Sequence, residues 1–209
     1  MRIDALAARA DRAGRHTVTF SDGSTMRLYR NTLEDFGLFV GLELTDEEMA
    51  KLKTAADKMS AKMRAVRIVA ASNVSRKDLE QRLIRKGESS DCAREAVQWM
   101  TDLNLVDDAE TARQLVQQCI RKGYGVARAK QALYEKRIPK DLWEDALGDY
   151  PDMTDAIAAY LRSHLQDGRD QKQKKKVVDA LVRRGHTYSQ ITRALRGLDL
   201  DTDEFPEEF

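Results

Sequence analysis

Proline and glycine are scarce in this chain of 209 residues, which contains 3 prolines and 11 glycines. Because turns and the connections of all-β folds depend on these two residues, their scarcity favours helices over sheet. Aromatic residues make up only 6% of the chain, whereas 42% is hydrophobic and 34% is charged. This composition is typical of amphipathic helices packed by Leu, Ala, Val and Ile. We therefore predict a mainly α fold.

Cysteines and long apolar runs are also few. The two cysteines, Cys92 and Cys119, cannot build a disulfide framework, and both occupy apolar positions of helical patterns. We expect them to be buried thiols in a reducing compartment. No apolar run reaches the length of a membrane span, and the first residues, MRIDALAARADR, carry charges where a secretion signal needs an apolar stretch. The expected protein is soluble and cytoplasmic, without a membrane partner.

Charge is unevenly distributed, although the net charge is only +1. Residues 162–196 contain ten Lys or Arg and three Asp, whereas residues 198–209 contain six acidic residues and no basic one. The basic section suggests an acidic or phosphate-rich partner. The end of the chain has little apolar surface, so we predict a flexible acidic tail (199–209) that weakly shields the basic section. The alternative is a solvated helix face followed by an inert end.

The N-terminal region carries the clearest β pattern. TVTFSDGSTMRLYR alternates apolar and polar residues around an Asp-Gly turn and predicts a β-hairpin region over 1–45. A capping box, Thr45 with Glu48, then opens a long linking helix over 46–74. This helix is expected to pack against the chain's own following helices; a coiled-coil dimer is the weaker alternative. Its apolar seam consists of Met49, Leu52, Ala56, Met59, Met63, Val66 and Ala70.

Three later stretches share one pattern: LEQRLIRKGESSDCAREAV, AKQALYEKRIPKDLWEDAL and VVDALVRRGHTYSQITRAL. When they are anchored at Gly87, Arg137 and Gly185, 50 and 48 residues apart, a Leu lies four residues before each anchor and a Lys or Arg directly before it. Such a period predicts tandem helical repeats stacked in an extended array. The predicted repeats are repeat 1 (75–123), repeat 2 (124–170) and repeat 3 (171–198).

The anchor of each repeat is expected to be the corner between two helices. Gly87 and Gly185 are expected to reverse the chain in the left-handed conformation, with the preceding cation meeting the negative end of the helix. Arg137 replaces this glycine, so we expect the middle corner to turn in another way, with help from Pro139.

No catalytic or metal-binding constellation is visible. His16, His164 and His186 lack metal-ligand partners at useful spacing, and His164 is expected to be a partly buried packing residue. Asp107 and Asp108 stand at a helix start, where carboxylates cap. The segments GYGVARAK and FVGLEL lack the context of a phosphate loop. We expect a protein that is not an enzyme and needs no metal or cofactor. Trp99 and Trp143 are expected in the core.

Lysines and arginines recur at the corners and in the run QKQKKK. Long cations decorate most solvated helices, but their recurrence on comparable turns makes the set a candidate surface for a partner or for DNA phosphates. Few partners for base edges accompany them, so weak, non-specific and salt-sensitive phosphate contacts are expected. The candidates are Arg82, Arg85, Lys86, Lys122, Arg128, Lys136, Arg137, Lys172, Lys174, Lys175, Lys176, Arg183 and Arg184.

The stretch LVRRGHTYSQITRAL also has the helix, corner and helix of a helix-turn-helix motif. A DNA-binding transcription factor is therefore an alternative function. Such a factor reads two half-sites with one dyad, whereas this chain repeats the corner three times, and that argues against it. A structural scaffold without a nucleoprotein partner is a third possibility.

The ordered motifs resemble the RecX family over most of the chain. The resemblance rests on AVRIVAASNVSRKDLEQRLIRKG, LVDD, GYG, LYEKRIPKDLWEDAL and LVRRGHTYSQITRAL, together with the hairpin and FGLFVGLELTDEEMAKL. Arg137 and His186 depart from the pattern, the latter where an aromatic residue often follows the corner glycine. The resemblance implies tandem three-helix repeats in an elongated, curved array.

The same resemblance implies a function. It predicts a non-enzymatic modulator that binds along the groove of the RecA filament on DNA, and we expect the protein to be a monomer. Such a protein would restrain the ATPase, strand-exchange and coprotease activities of RecA in homologous recombination, DNA repair and the SOS response.

Overall fold

The computed structural model describes residues 1–165 and 170–198. The predicted acidic tail (199–209) and the short segment 166–169 lie outside the described residues. The chain divides into two compact units, Met1–Val106 and Asp107–Phe209. Within the described residues, no helix combines the length and the apolar character that crossing a membrane requires.

The first unit begins with a three-stranded antiparallel sheet rather than a hairpin alone. Its strands and the short helix that follows are β1 (Ile3–Leu6), β2 (Arg15–Phe20), β3 (Thr25–Tyr29) and α1 (Arg30–Asp35). The predicted hairpin is confirmed, with His16 opposite Leu28. Strand β1 was not predicted, because the pairing register shifts between Ile3 and Ala5 and breaks the strict alternation by which a strand is recognised.

The long helix α2 (Asp46–Ala71) begins at the predicted capping box. The Thr45 side chain accepts a hydrogen bond from the Glu48 backbone N–H at 3.2 Å, and the Glu48 carboxylate accepts one from the Thr45 N–H at 2.8 Å. These two bonds satisfy backbone groups that a helix start leaves unpaired.

The buried face of α2 changes along its length. Its first half packs Leu52 into a cluster with the sheet, whereas its second half packs Ala61, Ala65 and Ile68 against the next two helices. The helix therefore packs against its own chain, as predicted, but the predicted seam is wrong towards its end, where Ala70 is exposed. Because α2 packs against two clusters one after the other, it presents a different face to each, and a single apolar seam does not describe the whole helix.

Eight further helices follow within the described residues. They are α3 (Arg76–Arg85), α4 (Ser90–Asp102), α5 (Asp108–Arg121), α6 (Val126–Glu135), α7 (Trp143–Leu147, preceded by the 3₁₀ turn Lys140–Leu142), α8 (Thr154–His164), α9 (Gln171–Arg183) and α10 (Tyr188–Arg196). The described chain is thus mainly helical, with one small sheet at its N-terminus. Both cysteines are buried free thiols, as expected.

The helices pack in groups of three. The second half of α2 packs with α3 and α4, α5 packs with α6 and α7, and α8 packs with α9 and α10. Apolar clusters fill each group, and Trp99 and Trp143 are half-buried against the first and the second of them. The predicted boundary at 123/124 runs between α5 and α6, two helices that pack together; the set of domain boundaries stays a prediction.

The three helix corners share one backbone conformation, and the prediction for the middle corner is wrong. Gly87 and Gly185 have φ of 92° and 89°, and Arg137 has φ of 54°, so all three are left-handed. At each corner the following N–H reaches back to the carbonyl of the repeated Leu, as from Ile138 to Leu133 at 3.0 Å. A complete set of helix-ending hydrogen bonds thus holds a non-glycine residue at a position that favours glycine.

Candidate functional site

The α9–α10 corner and the GYG segment before α6 cross at very short range. The Gly125 N–H donates to the Arg184 carbonyl at 2.9 Å. A Cβ placed on Gly125 would lie 2.0 Å from the Gly185 carbonyl oxygen, and a Cβ on Gly185 would lie 2.3 Å from the Arg128 backbone nitrogen. Real side chains cannot approach so closely, so glycine is required on both segments.

Arg184 fills the space beside this crossing. Its guanidinium carbon lies 4.8 Å from the ring centroids of both Tyr124 and Tyr160, and its Nη2 donates to the Lys122 carbonyl at 2.7 Å. Cation–π contacts on two rings hold the guanidinium plane in place. The Tyr150 hydroxyl donates to the Tyr124 carbonyl at 2.7 Å, and burial raises the pKa of Tyr150 to about 12.

His186, which like Arg137 departs from the RecX-like sequence pattern, is buried beside the GYG segment. Its Nε2 lies 3.0 Å from the Gly123 carbonyl oxygen. An acceptor there requires Nε2 to carry the proton and to donate. Burial lowers the pKa of His186, so the imidazole is neutral at neutral pH. His186 therefore packs where an aromatic residue often stands, and it also donates a hydrogen bond to the GYG segment.

In the first unit, the α3–α4 corner is tied to α2. Arg64 donates through Nη1 to the Lys86 carbonyl at 2.7 Å and pairs through Nε with the nearly buried Glu88 carboxylate at 2.8 Å. Arg82 pairs with Asp78 at 2.9 Å and donates to a Ser72 side chain at 3.2 Å. Of the three candidates at this corner, Arg85 and Lys86 are exposed, whereas Arg82 mainly supports the fold.

The middle corner offers fewer accessible cations. Arg137 is exposed and Lys136 is half-buried, and each of them already has an interaction partner. Arg128, on the first turn of α6, pairs with Glu135 at 3.3 Å. Hydrogen bonds from Gln131 and Arg128 lower the pKa of Glu135, so this carboxylate is ionised and offsets part of the cationic charge.

The basic helix α9 contributes three of its four predicted lysines to the surface. Lys172, Lys175 and Lys176 are exposed, but Lys174 is only 1% exposed, so its prediction as a phosphate-binding residue is wrong. The helical period explains the difference. Position 174 lies on the same face as the apolar residues of this helix, which are buried: Val177, Val178 and Leu181.

The second unit brings four candidates together: Lys122, Arg128, Arg183 and Arg184 lie around one crossing. Tyr124 and Tyr160 complete this arrangement and were missed by sequence reasoning, because neither stands at one of the three repeated corners at Gly87, Arg137 and Gly185. The paired glycines of GYG were the available signal for a close approach. His164, expected to be partly buried, is exposed and stacks on Tyr160 at 3.9 Å between ring centroids.

Metal binding finds no support in the part of the chain that the structure describes. In residues 1–165 and 170–198, no group of three or more His, Cys, Asp or Glu side chains is arranged to hold an ion. Asp107 instead caps α5, as predicted, by accepting from the N–H groups of Ala109 and Glu110.

Comparison with known proteins agrees with this architecture. The family model described as "RecX, second three-helix domain" matches residues 107–147, the segment from α5 to α7. Regulatory protein RecX of Vibrio parahaemolyticus is 29% identical over 152 residues, which cover 71% of this chain and 98% of the relative. Regulatory protein RecX of Streptococcus gordonii is 24% identical over 197 residues, which cover 92% of this chain and 76% of that protein.

Solved structures show the same fold. A crystal structure of regulatory protein RecX superimposes with a TM-score of 0.62 at 20% identity, covering 90% of this chain and 96% of that one. RecX from Lactobacillus salivarius gives a TM-score of 0.59 at 23% identity, over 70% of this chain and 99% of that one. The chain is thus similar to proteins named regulatory protein RecX over most of its length, contains a segment that matches the RecX second three-helix domain, and shares the fold of the solved RecX structures.

Proposed function

We propose that this protein binds the RecA filament on DNA and modulates its ATPase, strand-exchange and coprotease activities, without catalysing a reaction itself. The observation that carries the proposal is the match to proteins named regulatory protein RecX, which extends over 98% of the Vibrio parahaemolyticus relative. From that extent we infer a regulatory role for this protein as well. The action on RecA, with its consequences for recombination, DNA repair and the SOS response, is the part that we propose.

The surface proposed for this contact is the set of cations that remain accessible at the corners and on α9. The arginines and lysines of this set are exposed side chains that the fold does not bury: Arg85, Lys86, Lys122, Lys172, Lys175, Lys176 and Arg183. A nucleoprotein filament presents phosphates and acidic side chains, for which such cations are suited. We propose that contacts to DNA within the filament are made to phosphates, so binding to DNA alone is weak and falls steeply with salt.

Sequence-specific reading of duplex DNA is less well supported. A helix-turn-helix protein places the start of its second helix at base edges. Here that corner packs on the chain itself: the carbonyls of Arg184 and Gly185 accept hydrogen bonds from Gly125 and Ala127 at 2.9 and 3.4 Å, and His186 is buried. We propose an architectural role for this corner.

The test of the proposal is RecA-dependent ATP hydrolysis on single-stranded DNA. Added at a small fraction of the RecA concentration, the protein should slow hydrolysis. The double variant Arg85→Gln/Lys86→Gln should inhibit less, because it removes two exposed charges of the proposed surface. The matched control is Lys51→Gln/Lys53→Gln, which removes two exposed charges from the first turns of α2, outside the proposed surface.

Inhibition by the control variant should equal inhibition by the unmodified protein. Unchanged hydrolysis at equimolar unmodified protein would refute the proposed function. Equal losses in both double variants would leave the regulatory role standing but would remove the first corner from the contact surface.

A further inference from the structure

The second unit contains a cleft lined by three arginines. Its volume is about 210 Å³, and its lining consists of Tyr124, Arg128, Tyr160, Ala180, Arg183 and Arg184. Among the described residues, no carboxylate belongs to this lining. A small, cationic, partly aromatic concavity of this kind attracts anions far more strongly than isolated surface charges do.

Within this cleft, Arg184 is pre-organised. Both tyrosine rings hold its guanidinium carbon at 4.8 Å, and one of its terminal nitrogens is fixed on the Lys122 carbonyl. Its Nε is buried and has no hydrogen-bond partner among the described residues. A buried donor without an acceptor destabilises the protein, and an oxygen-bearing ligand at the guanidinium edge supplies that acceptor.

The other two arginines differ in how firmly they are held. Arg128 is half-buried and weakly paired with Glu135 at 3.3 Å, a distance at which a competing anion can displace the carboxylate. Arg183 is exposed on the last turn of α9, and no ion pair joins it to any residue in the described ranges. The cleft therefore combines one fixed guanidinium with two that can close on a ligand.

We propose that this cleft is a binding site for a phosphate group. The oxygens of a tetrahedral phosphate point in several directions, so guanidinium groups that approach from different sides of the cleft can reach them, whereas the two oxygens of a carboxylate lie in one plane; guanidinium forks also suit phosphate geometry. The phosphate comes either from a nucleic-acid backbone or from a free phosphate-bearing molecule. This inference rests on the proposed function, because it names the ligand of one part of the surface proposed there.

The test is a titration of the full chain, without RecA, at low salt. The probes are inorganic pyrophosphate, a single-stranded oligothymidylate with a 5′-hydroxyl end, and a glutamate-rich peptide, each followed by calorimetry. Arg183→Gln and Arg128→Gln should each weaken binding of the phosphate probes about tenfold, since each removes a charge-assisted contact. Arg113→Gln is the control, because it removes one exposed positive charge from the same unit, on α5, outside the cleft.

The control should change affinity by less than about twofold. Arginine-dependent binding of pyrophosphate would assign the cleft to free phosphates, and arginine-dependent binding of the oligonucleotide alone would assign it to the nucleic-acid backbone; both outcomes support the proposal. Equal losses in all three variants, tighter binding of the peptide than of either phosphate probe, or no binding of any probe would overturn it. Because RecA takes no part, none of these results bears on the proposed regulation of the filament.

Discussion

The crossing of the α9–α10 corner with the GYG segment allows a sharp test of what holds the second unit together. Gly185 and Gly87 end equivalent helices with nearly the same φ, 89° and 92°. An added Cβ meets nothing within 4 Å at Gly87, but lies 2.3 Å from the Arg128 backbone nitrogen at Gly185. Alanine at either position thus meets the same backbone strain. The two substitutions differ only in the steric clash, which arises at Gly185 and not at Gly87.

The expected costs follow from these geometries. Left-handed alanine costs about 1–2 kcal/mol, and this is the whole expected effect of Gly87→Ala. Gly185→Ala must also push the start of α6 away, which breaks the Gly125-to-Arg184 backbone bond and stretches the one between His186 and Gly123. With about 1 kcal/mol for each lost bond and some lost packing, Gly185→Ala should reduce the free energy of unfolding by about 3–5 kcal/mol.

The two tryptophans provide separate probes, because Trp99 lies in the first unit and Trp143 in the second. Urea unfolding of Gly185→Ala is followed by Trp143 fluorescence in a Trp99→Phe background, and that of Gly87→Ala by Trp99 in a Trp143→Phe background. Gly123→Ala is a control inside the second unit: its φ is 64°, but its Cβ would lie 3.6 Å from Ala156, an ordinary contact. Losses of equal size for Gly185→Ala and either control would refute the role assigned to the close crossing.

Three further outcomes are expected. Thr45→Ala should lower the free energy of unfolding of the first unit by about 1 kcal/mol, because it removes the cap of α2. Thr54→Ala, on an exposed turn of the same helix, should change that free energy by less than about 0.5 kcal/mol. Urea unfolding of the two variants measures both changes, and changes of equal size would argue against the cap. Because burial lowers the pKa of His186, the unfolded chain binds the proton more readily, so the stability of the second unit should fall as pH drops below about 6.5. His186→Phe should flatten that dependence, and an unchanged slope between about pH 7.5 and 5.5 would contradict the assignment. Deleting residues 199–209 should tighten DNA binding a few-fold at low salt and leave it unchanged at a few hundred millimolar; equal or weaker binding by the truncated chain at low salt would reduce the tail to an inert end.

Local signals in the sequence were sufficient for most helix starts. Thr45, Ser89 and Thr187 each accept a hydrogen bond from the backbone of their own first turn, as a capping pattern predicts. These interactions span three residues, so the sequence alone contains the information. The corner glycines were predictable for the same reason.

Contacts between distant segments were not predictable in this way. Arg184 and Lys122 are 62 residues apart, and His186 and Gly123 are 63 apart, so no local pattern links them. Lys174 was assigned to the surface by counting charge in a basic run, although its helical phase places it with the buried residues. Arg137 was not expected to adopt the left-handed conformation that favours glycine. That expectation rested on the backbone preference of arginine alone, whereas the hydrogen bonds that hold the corner outweigh this preference.

Co-sedimentation with RecA filaments assembled on single-stranded DNA, followed by lysine crosslinking, tests the proposed function most directly. The protein should pellet with filaments and, at moderate salt, much less with the DNA alone. Crosslinks to RecA should form from Lys86 at the α3–α4 corner, Lys122 at the end of α5 and Lys175 on α9, all of which are exposed, and not from Lys51 or Lys53. Pelleting that is the same with and without RecA, or no pelleting with filaments at all, would contradict the proposal that the RecA filament is the partner.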